Sequence, residues 1–406
     1  MLNRKSRLER TVIVCLLALL IAVTASRSLY AQTPGVTDDT ILIGLTTPMT
    51  GPASVYAKCG QMYEAILTEW GKNINGRNIK VIRTDDGCDP VKGIAAVKKL
   101  IFDDSVFMLS SGQCSNMCLA VKPVVEESGI PMISHGCIAD AMYVPVVANI
   151  FNPAYISSVA SDSMVDFAMT IPGDHAKIGI IRHTDEWATS MYKPIVDYMK
   201  EKYHVEPAMD VTMERGTADA TTQVLKLKQA GVESVIAILF PAETTAFLRD
   251  ANNLKFDKPI VGSTATSVSD QYTALKSIEP LKRYFGPYSI KYPLDDPRVK
   301  VYEDLLKKYF PESKFDAFAV FATGGPLVII DALQKCGRDL TREKFLHILE
   351  TEYTGWDPPN YIGAAPVTFS KTDHVGMNHL VMSTIVTGRF EIIKTYAEYE
   401  KLIEKK

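Results

Sequence analysis

Between residues 40 and 136, short β-rich runs alternate with amphipathic stretches of 12 to 18 residues, and no other property of the sequence narrows the fold so far. "TILIGLTT" (40–47) reads as a buried strand, and Tyr63, Ile66, Leu67 and Trp70 then recur at the spacing that lines one helical face. "IKVIRTDD", a helix through Ile94 and Leu100, "VFMLSS", a helix over 116–128 and "PMISHG" continue the pattern. Such alternation predicts a parallel sheet with helices on both sides.

The pattern restarts after "FNP" (151–153). "KIGIIRHT", "AMDVTM", "SVIAILF" and "KPIVGST" are strand-like, with helices expected around 188–203, 219–230 and 242–254. A third region predicts helices near 297–309, 316–335 and 342–351, then a β-hairpin, "HLVMSTIVTGRFEIIK", turning at Thr387–Gly388. Two α/β lobes of similar build follow, and in such sheets ligands sit beyond the carboxyl ends of the strands.

The chain opens with Arg4, Lys5, Arg7 and Arg10, an apolar run from Val12 to Val23, then small residues. Charge, length and flank read as a secretory signal covering residues 1–31, cleaved after Ala31 or Ala25, and the run is short for a bilayer span. Its removal takes away five basic residues and one acidic one, moving the formal charge from −3 to −7, so no nucleic-acid partner is expected. About 375 residues remain, enough for two cores. Cys59, Cys88, Cys114, Cys118, Cys137 and Cys336 then enter an oxidising compartment, where disulfides are the leading reading.

Enzyme signatures are missing: there is no G-x-S-x-G, G-x-x-x-x-G-K-[ST], G-x-G-x-x-G or H-E-x-x-H. His374 and His379 do not share a helical face, and Cys114 and Cys118 lack a matching second pair of zinc ligands. A catalytic thiol would need a base such as His135. No cofactor or metal is expected, and an exported hydrolase is the weakest of the functional readings.

The strand-end loops carry a resemblance. Thr50-Gly51-Pro52 with Tyr56, then Asp85-Asp86-Gly87-Cys88-Asp89-Pro90, then Cys114-Ser115, resemble the leucine/isoleucine/valine-binding solute-binding proteins of ABC importers. The likeness runs through 316–335 and "APVTFS". It implies a two-lobed periplasmic binding protein of type I, a Venus-flytrap clamp that delivers a small ligand to an inner-membrane ABC permease, monomeric and periplasmic. Lobe 1 would hold 32–152 and 288–365, and lobe 2 would hold 153–287 and 366–406. The chain would cross between them near 151–154, 286–290 and 363–370.

The resemblance also implies a disulfide from Cys88 to Cys114. One further bridge is expected among Cys59, Cys118 and Cys137, with Cys336 free. Ser115 falls where the family receives the ligand carboxylate at a helix start, and Tyr56 where it has an aromatic wall. Gly136, Cys137 and Ile138 occupy a loop that offers a carbonyl and a threonine hydroxyl, which Ile138 cannot supply. Trp187 and Phe240 align with ligand-bordering tyrosines, and Phe318 with an aromatic at the mouth. Thr264 stands where amino-acid binders place a glutamate for the ligand ammonium, leaving Glu243 and Asp185 as the alternative carboxylates, with Arg182, His183 and His135 at the rim. The expected ligand is therefore an aromatic or branched carboxylic acid or a branched-chain amino acid. An amide or urea derivative is the alternative, as is a soluble sensor component.

Overall fold

The computed structural model describes residues 33–134 and 136–404; the expected signal segment and His135 lie outside them. The first half alternates β1 (Thr40–Thr47), α1 (Ala57–Trp70), β2 (Asn78–Asp85), α2 (Pro90–Lys98), β3 (Met108–Ser111), α3 (Ser115–Ser128), β4 (Met132–Ser134) and β5 (Ile150–Phe151). These strands form a parallel sheet in the order β2-β1-β3-β4-β5. The expected alternation of strand, crossover and strand is therefore met, because inner strands such as β1 are apolar and buried on both faces and must be covered twice.

Next come α4 (Ser157–Ala168), β6 (Ile178–Arg182), α5 (Glu186–Tyr203), β7 (Met209–Thr212), α6 (Thr221–Gln229) and β8 (Ser234–Ile238). They are followed by α7 (Pro241–Asn253), β9 (Ile260–Gly262), α8 (Val268–Leu275) and β10 (Tyr284–Tyr288). Helices α9 (Pro297–Tyr309), α10 (Ala317–Phe321), α11 (Gly324–Cys336) and α12 (Arg342–Glu352) return to the first sheet, packing with α1 around Tyr63, Tyr302 and Leu333. The hairpin β11 (Val381–Val386) and β12 (Arg389–Ile393) and the helix α13 (Tyr396–Glu404) complete the second unit. Its sheet runs β12-β11-β10-β9-β8-β6-β7, parallel except where β11 pairs with β10 and β12.

Three expectations change. The single helix over 316–335 divides into α10 and α11, because Gly324 and Gly325 take the rings of Tyr361 and Tyr63: a Cβ at Gly325 would lie 2.1 Å from the Tyr63 hydroxyl. The stretch Ala317–Cys336 has the length and hydropathy of a membrane span, but 67% of it is buried, mostly among the aromatic and aliphatic side chains of the first core. Helix α4 has no counterpart among the predicted elements, since "SSVASDSMVDFA" packs with small residues such as Ala160, Ser161 and Ser163.

The third difference is the last crossing. Residues 289–291 and 362–364 exchange backbone hydrogen bonds, and Asn152 pairs with residues 374–376. Between these contacts Val367 and Phe369 remain in the first core, with Phe369 edge-on to Phe151 at 5.2 Å. His374, fully buried, bonds the carbonyls of Val147 and Ile150. Ala365 and Met377 lie in the second core while Val367 and Phe369 between them stay in the first, so the chain touches both cores across this stretch.

Candidate functional site

At the carboxyl end of the first sheet, one carboxylate organises two loops. Asp85 Oδ1 accepts from the amides of Met49, Thr50 and Gly87, at 2.7, 3.3 and 3.0 Å. Burial works against its charge, but the Thr50 hydroxyl and these amides outweigh it and hold the carboxyl below its ordinary value. The neighbouring Asp86 accepts from Cys88 N, and Asp89 caps α2 through Lys92 N. The turn delivers Cys88, at φ +55°, to Cys114, and the structure pairs the two with Cα atoms 5.5 Å apart.

Cys114 is the N-cap residue of α3 and Ser115 its first residue, so the cystine anchors the start of that helix. The first-turn amides of α3 have no side-chain cap, and a helix start of this kind favours an anion. The Ser115 hydroxyl is half-buried and within hydrogen-bond reach of Cys137. Tyr56 and Phe318 meet edge to face at 5.1 Å, with Phe318 fixed by Asp316 at the start of α10 and by the Cys59 thiol on its carbonyl.

Cys59, Cys118, Cys137 and Cys336 are all free and buried, which corrects the expectation of a second bridge. Cys59 is spent on Phe318, while burial raises the Cys118 thiol, which stays protonated and hydrogen-bonds Cys137. Gly112, at φ +104°, makes room for this pair: a Cβ there would lie 2.5 Å from Cys118 Sγ. Cys137 is sealed at 1% exposure, with its carbonyl taking the Tyr143 hydroxyl, so it supports the loop from beneath. Gly136 and Ile138 are half-buried beside it; Ile138 packs toward the second core, and its carbonyl receives both donors of Ser157 at the start of α4. Gln113 is a residue the sequence did not single out. Among the described residues its buried Oε1 has no hydrogen-bond partner, and it rests where a Cβ on Gly136 would be, 2.5 Å away.

The second sheet's carboxyl end is tied differently. His183, 1% exposed, holds the carbonyl of Met213 at Nδ1 (2.6 Å) and receives the amide of Phe240 at Nε2 (3.2 Å). An Nε2 that accepts fixes the neutral tautomer with the proton on Nδ1. Glu243 accepts from Gly216 N at 2.7 Å and lies 3.7 Å from His183, 5% exposed. Asp185 caps α5 through Ala188 N and pairs with Arg215 Nε at 2.5 Å. Both carboxylates expected as alternative ammonium partners are thus engaged within the lobe. Arg182 is likewise committed, forking onto Asp210 and stacking on Tyr192.

Trp187 and Phe240 come together at 4.3 Å, and Arg215 lies over the Phe240 ring at 4.0 Å. Thr264 follows β9, half-buried, and Tyr155 on the first crossing meets the ring of Phe321 at 5.3 Å. Of the residues expected at the site, the structure thus brings Tyr56 to Phe318 and Trp187 to Phe240. Tyr155, Gln113 and Arg215 join them without any local motif having marked them.

A family model described as "Periplasmic binding protein" matches residues 40–389. The leucine-, isoleucine-, valine-, threonine-, and alanine-binding protein of Pseudomonas aeruginosa is 24% identical over 239 residues, covering 57% of this chain and 62% of its own length, so the match spans less than two thirds of that relative. A branched chain amino acid ABC transporter structure from Thermus thermophilus with bound valine superposes with a TM-score of 0.71 at 17% identity, over 90% of this chain and 99% of that one. A solute binding protein from R. palustris in complex with 4-hydroxybenzoate gives 0.67 at 18% identity, over 88% and 96%. With the family model spanning most of the described residues and the type I fold shared, this chain belongs to the periplasmic binding protein family, a family of binding proteins rather than enzymes.

Proposed function

We propose that the protein is exported to the periplasm, captures a small carboxylic acid lacking an α-ammonium group, aromatic or branched, between its lobes, and hands it to an inner-membrane permease. Tyr56, Phe318, Ser115, Gly136 and Ile138 form one side of the site, and Trp187, Phe240 and Thr264 the other, with Cys137 as support. The single observation that carries this reading is that Glu243 and Asp185, the two alternative carboxylates of the second side, are both engaged within the lobe. Glu243 accepts from Gly216 N, and Asp185 caps α5 and pairs with Arg215. An ammonium enclosed without a charged partner pays a desolvation cost, whereas a carboxylate meets the open amides of α3. The relative that carries 4-hydroxybenzoate supports an acid of this size.

Calorimetry with leucine, 4-hydroxybenzoate and 3-methylbutanoate tests the reading, after a thermal-shift screen, since a ligand of the folded state raises its midpoint by mass action. Leucine should bind at least about a hundredfold more weakly than the better acid, roughly 2.7 kcal/mol. Thr264→Glu should weaken the acid by adding a like charge. Submicromolar leucine binding by the unaltered protein would sink the proposal.

A further inference from the structure

Arg215 belongs to no motif, yet among the described residues it is the one cation laid directly on the aromatic pair of the second lobe. The loop after β7 that carries it is fastened on both sides: Met213 offers its carbonyl to His183, and Gly216 donates to Glu243. Its Nε is spent on Asp185, which also caps α5 two residues before Trp187. The two terminal amino groups of the guanidinium have no protein acceptor among the described residues, and the side chain is 58% exposed. Phe240 and Asp185 thus hold the plane of the group while its outer fork stays open. A preorganised fork of this kind matches a carboxylate or another two-lobed oxygen acceptor better than a lysine does.

We propose that Arg215 is a specificity-determining contact, binding a second anionic or acceptor group on the ligand, at the end opposite the carboxylate received by α3. The inference rests on the proposed function above, and it narrows the ligand class to acids with a distal oxygen group. An aromatic dicarboxylate or a hydroxylated aromatic acid then satisfies both ends, with its ring between the aromatic walls. The same cation is a second reason for rejecting an ammonium group near this wall.

The test uses benzoate, 4-hydroxybenzoate and terephthalate, titrated by calorimetry into the mature protein, Arg215→Gln and Arg215→Lys. The unaltered protein should rank terephthalate and 4-hydroxybenzoate above benzoate. Arg215→Gln should erase at least about tenfold of that advantage, read as each acid's affinity relative to benzoate's in the same protein, and Arg215→Lys should recover part of it. The benzoate arm in the same variant reports whether the site is intact. Arg215→Gln with an unchanged ranking overturns the role of Arg215 and leaves the acid reading standing. Failure of all three acids to bind the unaltered protein removes both, and equal weakening of all three shows a residue that only supports the fold.

Discussion

The two ends of the candidate site are built on opposite principles. In the first lobe, side-chain carboxylates serve the backbone: Asp85, Asp86 and Asp89 satisfy loop and helix amides, and a cystine joins their turn to α3. What this leaves toward the ligand side is generic, namely helix amides, a serine hydroxyl and two aromatic rings. In the second lobe, the side chains reach the backbone of distant loops instead, His183 to Met213 and Phe240 and Glu243 to Gly216, with Asp185 paired to Arg215. Under the proposed function, the first arrangement receives the carboxylate, whatever else the molecule carries. The second discriminates, because Glu243 and Asp185 are engaged within the lobe and the outer fork of Arg215 stays open.

The largest expected effect breaks the first lobe's side of this contrast. Cys88→Ser with Cys114→Ser opens a loop of 26 residues, and the chain-entropy model puts the loss at about 3 kcal/mol. Urea unfolding should show it, and acid affinity should fall because the start of α3 is no longer tied down. Unchanged stability, with both thiols free in the unaltered protein, would mean that aspartate-to-backbone bonds alone fix this end.

The next effect probes the other side. His183→Leu leaves the Phe240 amide and the Met213 carbonyl without their partner, a cost of about 2 kcal/mol for unsatisfied buried groups. Binding of every acid should weaken together, since Phe240 and the loop of Arg215 both lean on this ring. If instead only stability falls and affinities hold, the second lobe's wall does not depend on its polar hub.

The same contrast explains what was legible in the sequence. Strands such as β6 and β8 could be read because they are buried on both faces and hence almost uniformly apolar. The first lobe's loops could be read because Asp85 through Pro90 acts on its own neighbourhood, so the chemistry leaves a local motif. His183 reaches 30 residues to Met213 and 57 to Phe240, and such contacts leave no spacing to recognise. Arg215 and Gln113 were invisible for the same reason. Helix α4 hid behind small polar residues, and the third crossing could not be placed because Val367 and Phe369 look alike whichever core takes them.

The smallest effect separates the lobes by pH. On α4 of the second lobe, burial raises the Asp162 carboxyl to about 6, with Asp166 and Asp140 adding to the shift and Lys202 opposing it. A folded value above the unfolded 3.8 means the folded state binds this proton more tightly, so the contribution is present below 3.8 and is lost as pH rises through 6. Asp85 in the first lobe has the reverse sign: its support is present above 3.8 and disappears as acid protonates it below that value. Lowering the pH from 7.5 to 5 should therefore relieve the second lobe before the first is touched. Because Asp162 is only half-buried, solvent screening keeps the effect to less than about 1 kcal/mol, near a degree or two in Tm. Asp162→Asn should raise Tm at pH 7.5 and flatten its dependence between pH 7.5 and 5, without altering the steep loss below pH 4. A variant that instead keeps the full slope between pH 7.5 and 5 would assign that slope to some other group and detach it from α4.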